Sequence, residues 1–223
     1  MTTILFLLII VAAMPLMAAV SYRNIKTLEA EDSELKLSKA PIYFQSMIMQ
    51  AGIALLAWQV SKKENFTISL GWNLSWYGIA ASIIFLISAL TLAYFSQKRK
   101  ENTKEGTLQY LLPENGKERI LWVLAVIVAA ICEEYMYRGV LYQVLLQQTD
   151  GKIWASVLLS AIVFGFGHGT QGEKAIIQII PFAIGFHLLA LLSGGLLVPL
   201  IVHFIYNISV DLLFGKKITQ RHP

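Results

Sequence analysis

Long, nearly unbroken apolar runs alternate along this chain with short stretches that collect most of its charge. The runs lie at about 3–20, 42–60, 77–95, 119–146, 153–168, 174–192 and 196–214. They do not show the narrow apolar stripe of a surface helix; each is apolar on most of its circumference, the pattern of a helix in lipid. A hydrocarbon core of about 30 Å needs roughly 20 such residues in a helix, so the pattern predicts seven spans. Only Ser193-Gly194-Gly195 separates the last two, a tight turn. Pro15 and Pro181 fall inside spans, where neighbouring helices can satisfy the carbonyls they release. The run 119–146 is longer than a span needs and carries charge, which leaves room for an eighth, partly embedded segment. The predicted fold is an all-α polytopic membrane helical bundle, one integral membrane domain over 1–223.

Composition agrees with this reading and removes other classes. Of 223 residues, 56% are apolar and 14% charged, against about 25% charged in soluble domains, and mean hydropathy is +0.61. A single cysteine, Cys132, can form neither an intrachain bridge nor a thiolate zinc site by itself. The net charge of +4 is not organised into a basic stripe with interleaved aromatics, so no nucleic-acid partner is expected.

The charge instead orients the chain. Segments 21–41, 96–119 and 169–174, with the tail, share one side of a seven-span bundle and hold fourteen Lys and Arg residues, Lys36, Lys104 and Lys216 among them. The other side holds three, Lys62, Lys63 and Lys152. Cytoplasmic loops carry the excess of basic residues, which predicts an outside N-terminus and a cytoplasmic C-terminus. Ala18-Ala19-Val20-Ser21 resembles a signal-peptide cleavage site, but no basic residue precedes the first run, and a retained helix is expected.

The candidate chemistry lies in polar residues inside spans. On insertion scales a charge at the bilayer centre costs about 2.5–3.5 kcal/mol and usually faces a bundle interior. The fourth run contains Glu133, Glu134 and Arg138 within six positions. Glu134 and Arg138 are four apart, with the acid first, the favourable order for an ion pair on one helix face. Glu133 points about 100° away and is left for other work, either general acid–base chemistry or a share in the same structural ion pair. The fifth run ends in Phe164-Gly165-Phe166-Gly167-His168, whose glycines admit a close helix neighbour. In the seventh, His203 and Asn207 stack one turn apart, and Asp211 continues the stripe. His187 has no polar companion at helical spacing and reads as structural. Two glutamates, two histidines and an asparagine make a hydrolytic set: a base, an imidazole to share the water, and donors for an oxyanion. No Gly-x-Ser-x-Gly elbow or His-Glu-x-x-His pair is present, and Cys132 has no activating partner on its own face.

Glu133-Glu134-x-x-x-Arg138, Phe164-x-x-x-His168 and His203-x-x-x-Asn207, in that order, resemble the three motifs of the CAAX protease and bacteriocin-processing (CPBP or Abi) family of intramembrane endopeptidases. The resemblance covers about 119–214, the motif-bearing core; the first three spans carry no motif. It implies a membrane helical bundle with a site open to the cytosol and a membrane-associated peptide or protein substrate. It also implies that Glu133 and His168 activate water, that His203 and Asn207 hold the oxyanion, and that Glu134 and Arg138 support them. The CAAX-processing relatives have eight spans rather than seven, and His168 falls nearer the cytoplasmic end than Glu133 and His203 do. No cofactor is expected; the alternative is a catalytic zinc on Glu133, His168 and His203. Other functional readings are a non-enzymatic bacteriocin-immunity protein and a transporter using Glu133 as a proton site. The expected location is a bacterial plasma membrane.

Overall fold

The computed structural model describes residues 1–30, 39–71, 75–103 and 112–215. Lys36, Lys104 and Lys216, used above to orient the chain, lie outside the described residues. Seven helical rods follow one another, as the apolar runs predict. They are α1 (Thr2–Leu7, Leu8–Ala13 and Met14–Ala30), α2 (Ala40–Lys63), α3 (Trp76–Thr103), α4 (Gly116–Gln148), α5 (Ile153–Gly167), α6 (Glu173–Ser193) and α7 (Leu197–Val210, continued by Asp211–Gly215). Five are long and apolar enough to cross a membrane; α5 and α7 are apolar but shorter. No strand occurs among the described residues. This is an all-α integral membrane bundle.

The packing explains why three of the rods carry no motif. Helix α4 is central and touches α2, α5, α6 and α7; α1 packs on α2 and α5, and α3 on α6 and α7. One core cluster joins Phe6 and Ile10 of α1, Ala57 and Val60 of α2, Met136, Tyr137 and Val140 of α4, and Ala161 and Phe164 of α5. The opposite faces of α1–α3 show Leu8, Leu16, Phe44, Ile48, Ile84 and Ile87 outwards, the surface a lipid tail covers. Trp58, Trp76, Tyr77 and Trp154 are exposed at one end of the bundle, the belt position of amphipathic rings at a membrane interface.

Each end is fastened by polar contacts. At the aromatic end, Thr3 donates to Glu64 Oε1 at 2.5 Å, tying the start of α1 to the end of α2. That bond, with Lys63, holds the Glu64 carboxyl below the usual carboxylate range. At the basic end, Asn115 caps α4 by accepting from the Glu118 amide at 3.0 Å, and Glu118 accepts from the Glu114 amide at 2.9 Å. The buried Lys39 reaches Leu112 O at 2.5 Å and Glu114 Oε1 at 2.7 Å. Asp211, also buried, lies 3.9 Å from Arg119.

Residues 66–71, which follow α2, are non-helical and lie against the start of α7 at the aromatic end. The amides of Leu196 and Leu197 donate to Ser69 O at 3.0 Å and Leu70 O at 2.9 Å, so this segment satisfies donors that the start of α7 would otherwise leave open. Gln143 of α4 donates to Thr67 O at 2.9 Å. Gly71 and Gly195 cross so closely that a Cβ on either would come within 2.2–2.4 Å of the other segment's backbone.

Candidate active site

Helix α4 is not regular where its charges lie. Glu134–Leu141 is π-helical, with the wider i→i+5 turn that often marks a functional site. The irregularity is supported by a neighbour: Ser160 of α5 donates to Tyr137 O at 3.0 Å. Glu134 and Arg138 nevertheless pair as the spacing predicts, with Nη1 3.4 Å from Oε1 and neither side chain exposed. Arg138 is further held between two rings, 4.3 Å from the Phe164 centroid and 5.1 Å from that of Phe186. Such cation–π contacts gain strength once desolvated.

Glu134 has a second partner. His203 Nδ1 lies 2.8 Å from Glu134 Oε1, the distance of a charge-assisted hydrogen bond in which the ring N–H donates. His168 Nδ1 likewise faces Phe164 O at 2.8 Å, and a carbonyl can only accept. Both rings are therefore assigned a proton on Nδ1, and in both Nε2 turns to Glu133. His168 Nε2 is 3.8 Å and His203 Nε2 3.9 Å from the same oxygen, Glu133 Oε2. Glu133 and His168 keep partial exposure, 13% and 23%, while Glu134 has none. The adjacent glutamates thus separate as helical geometry predicts, one locked in the core and one at an accessible junction.

The glycines of the fifth run act as expected. A Cβ on Gly165 would meet Ile180 of α6 at 2.6 Å, and one on Gly167 would meet the Tyr137 hydroxyl at 3.0 Å. Helices α6 and α4 therefore close on the end of α5 and fix the turn that carries His168. The depth mismatch seen in the sequence is resolved by helix lengths. Glu133 and His168 are each fifteen residues from the ends of α4 and α5 that face one another, Gln148 and Ile153. Helix α7 starts deep, with Leu196 and Ile68 against Gly139 of α4, so His203 reaches Glu134 within six residues of the start of α7.

Five of the six predicted site residues meet: Glu133, Glu134, Arg138, His168 and His203. Asn207 lies one turn further along α7, half-buried, and its amide makes no hydrogen bond to another described residue. Asp211 does not extend the site; it turns to Arg119. Phe186, which stacks on His203 at 5.0 Å, escaped the sequence reading because a phenylalanine in an apolar run carries no signal. Cys132 is buried and free. Among the described residues, no three His, Cys, Asp or Glu side chains converge as a metal-ion site. The alternative zinc set, Glu133, His168 and His203, does not form such a group.

Residues 115–209 match the model of a protein family described as type II CAAX prenyl endopeptidase Rce1-like. This agrees with the CPBP resemblance of the three motifs and covers nearly the same stretch. At the level of the family, the match is to CAAX-type intramembrane proteases, which are peptide hydrolases. Searches of the curated proteins and of the solved structures found no match.

Proposed function

We propose that this protein is an intramembrane endopeptidase of glutamic type, cutting peptide bonds of membrane-associated substrates. The observation that carries the reading is the convergence of two imidazole Nε2 atoms on one oxygen of Glu133, at 3.8 and 3.9 Å. Those separations exceed a hydrogen bond, but an oxygen about 2.8 Å from each group would bridge them. A water bound there gives one proton to Glu133, with His168 sharing the bridge, as its oxygen bonds to the scissile carbonyl carbon. The carbonyl oxygen becomes an oxyanion facing His203 and the Asn207 amide. To donate from Nε2 while Nδ1 stays on Glu134, His203 must carry both ring protons. Collapse of the intermediate breaks the C–N bond, and the proton held by Glu133 passes to the leaving amine. Glu134 and Arg138 orient His203 without touching substrate.

The deciding experiment is cleavage by purified full-length protein, using lipid-anchored and unanchored peptides, before and after strong chelation. Glu133 and His168 need no metal to activate water, so turnover should survive the chelator. Activity lost on chelation and restored by zinc alone would transfer the site to a metal mechanism. In the same assay Asn207→Ala should lower turnover about 100–1,000-fold, the usual loss for one oxyanion donor, with a smaller change in KM. A variant that melts earlier but keeps full specific activity would instead make Asn207 a packing residue.

The reading also places the basic end in the cytoplasm, following the fourteen-to-three charge asymmetry. A membrane-impermeant maleimide should then label Thr2→Cys but not Lys117→Cys in intact cells, both made in a Cys132→Ala background. Labelling of position 117 from outside would reverse the orientation.

A further inference from the structure

His187 of α6 lies outside all three motifs, yet it is only 2% exposed and its surroundings are not those of an inert core histidine. Its ring packs on Tyr142, one turn along α4 from Arg138, at 5.6 Å. Its chain neighbour Phe186 covers the Arg138 guanidinium, whose carbon lies 5.1 Å from the ring centroid. Several buried polar atoms of α4 and α6 lack a hydrogen-bond partner among the described residues. Arg138 Nε, Nη1 and Nη2, Glu134 Oε2 and His187 Nε2 are all buried without a hydrogen-bond partner. Three are donors. Glu134 Oε2 is an acceptor, and His187 Nε2 is one in the tautomer that carries its proton on Nδ1.

Buried polar atoms are as a rule paired with protein or ordered water, and an internal water needs two to four polar partners. We infer that ordered water joins the Arg138 guanidinium to Glu134 Oε2 and His187 Nε2, making His187 a positioning residue of the site. The line of contact then runs from His187 through water to Arg138 and Glu134, and from Glu134 Oε1 to His203 Nδ1 at 2.8 Å. His187 touches no substrate; it acts by fixing the arginine that fixes the glutamate that sets the His203 ring. The line itself holds whatever reaction the site performs. Its effect on turnover rests on the peptidase reading above.

The test is therefore split. Full-length protein with ¹⁵N-labelled histidines, in lipid nanodiscs, should show a downfield Nδ1–H proton resonance that disappears in His203→Gln and is thereby assigned. His187→Gln keeps an acceptor and should retain that resonance. His187→Phe and His187→Leu fill the space without an acceptor and should shift or broaden it; two apolar sizes are used so that a folding failure of one leaves the other. In the cleavage assay the apolar variants should lose about tenfold or more in kcat with KM little changed, as when an orienting partner is lost elsewhere, and His187→Gln should recover most of it. An unchanged His203 resonance in a folded apolar variant would overturn the inference, as would a glutamine variant as impaired as the apolar ones. If wild-type protein cleaves nothing, the peptidase reading fails while the resonance still decides the role of His187.

Discussion

Glu133→Gln should insert, fold and melt like the wild type while losing turnover by about 10²–10⁴-fold, the usual range for a positioned general base. The exchange preserves shape and removes only the proton acceptor at the point where His168 and His203 converge. Stability should be largely spared because Glu133 is partly exposed and its imidazole neighbours stand 3.8 and 3.9 Å away, beyond hydrogen-bond distance. The result also separates the functional classes. An immunity protein can keep its protective effect without Glu133, whereas a peptidase cannot keep its cleavage. Undiminished cleavage by Glu133→Gln would remove this residue from the mechanism.

Glu134→Gln should fail differently. Its carboxylate faces both Arg138, at 3.4 Å, and His203, at 2.8 Å, with no exposure of its own. Removing one member of a buried ion pair strands the other, at a cost of about 3–5 kcal/mol. The variant should show a lower melting temperature or reduced insertion together with weak activity. Replacing Arg138 with methionine as well removes the stranded cation, and the Glu134→Gln/Arg138→Met protein should melt above either single variant. Activity should not return with stability, because His203 still lacks its charged anchor. All four proteins are compared in the same detergent by thermal melt and cleavage. A Glu134→Gln protein that is stable and inactive, beside an active Glu133→Gln protein, would exchange the two roles.

Much of this architecture was legible because lipid imposes a coarse rule. All seven apolar runs are helices, and the spacing of Glu134 and Arg138 gave their pairing. What escaped depends on features no run of residues encodes alone. The π-helical turn needs Ser160 from another helix to hold the Tyr137 carbonyl. The position of His203 depends on residues 66–71, which pair with the start of α7 although nothing in their own sequence marks that partner. Asp211 continued a stripe on paper, whereas Arg119, at the start of α4, claims its carboxylate. His187 looked solitary because its polar neighbours stand on α4, about fifty positions earlier.

The turn after His168 has a consequence for how the gene product can be cut and joined. Gly169 packs on Ala18 and Gly172 on Tyr22, so the wall behind this histidine belongs to α1, a helix far outside residues 115–209. The Ala18-Ala19 step that resembles a processing site lies within this packed helix. A peptidase that nicked it would sever Phe6 and Ile10 from the core they help fill. For the same reason a minimal fragment drawn around the three motifs should be inert by itself. In its packing the first helix serves as a strut of the fold, and expression vectors should leave it whole.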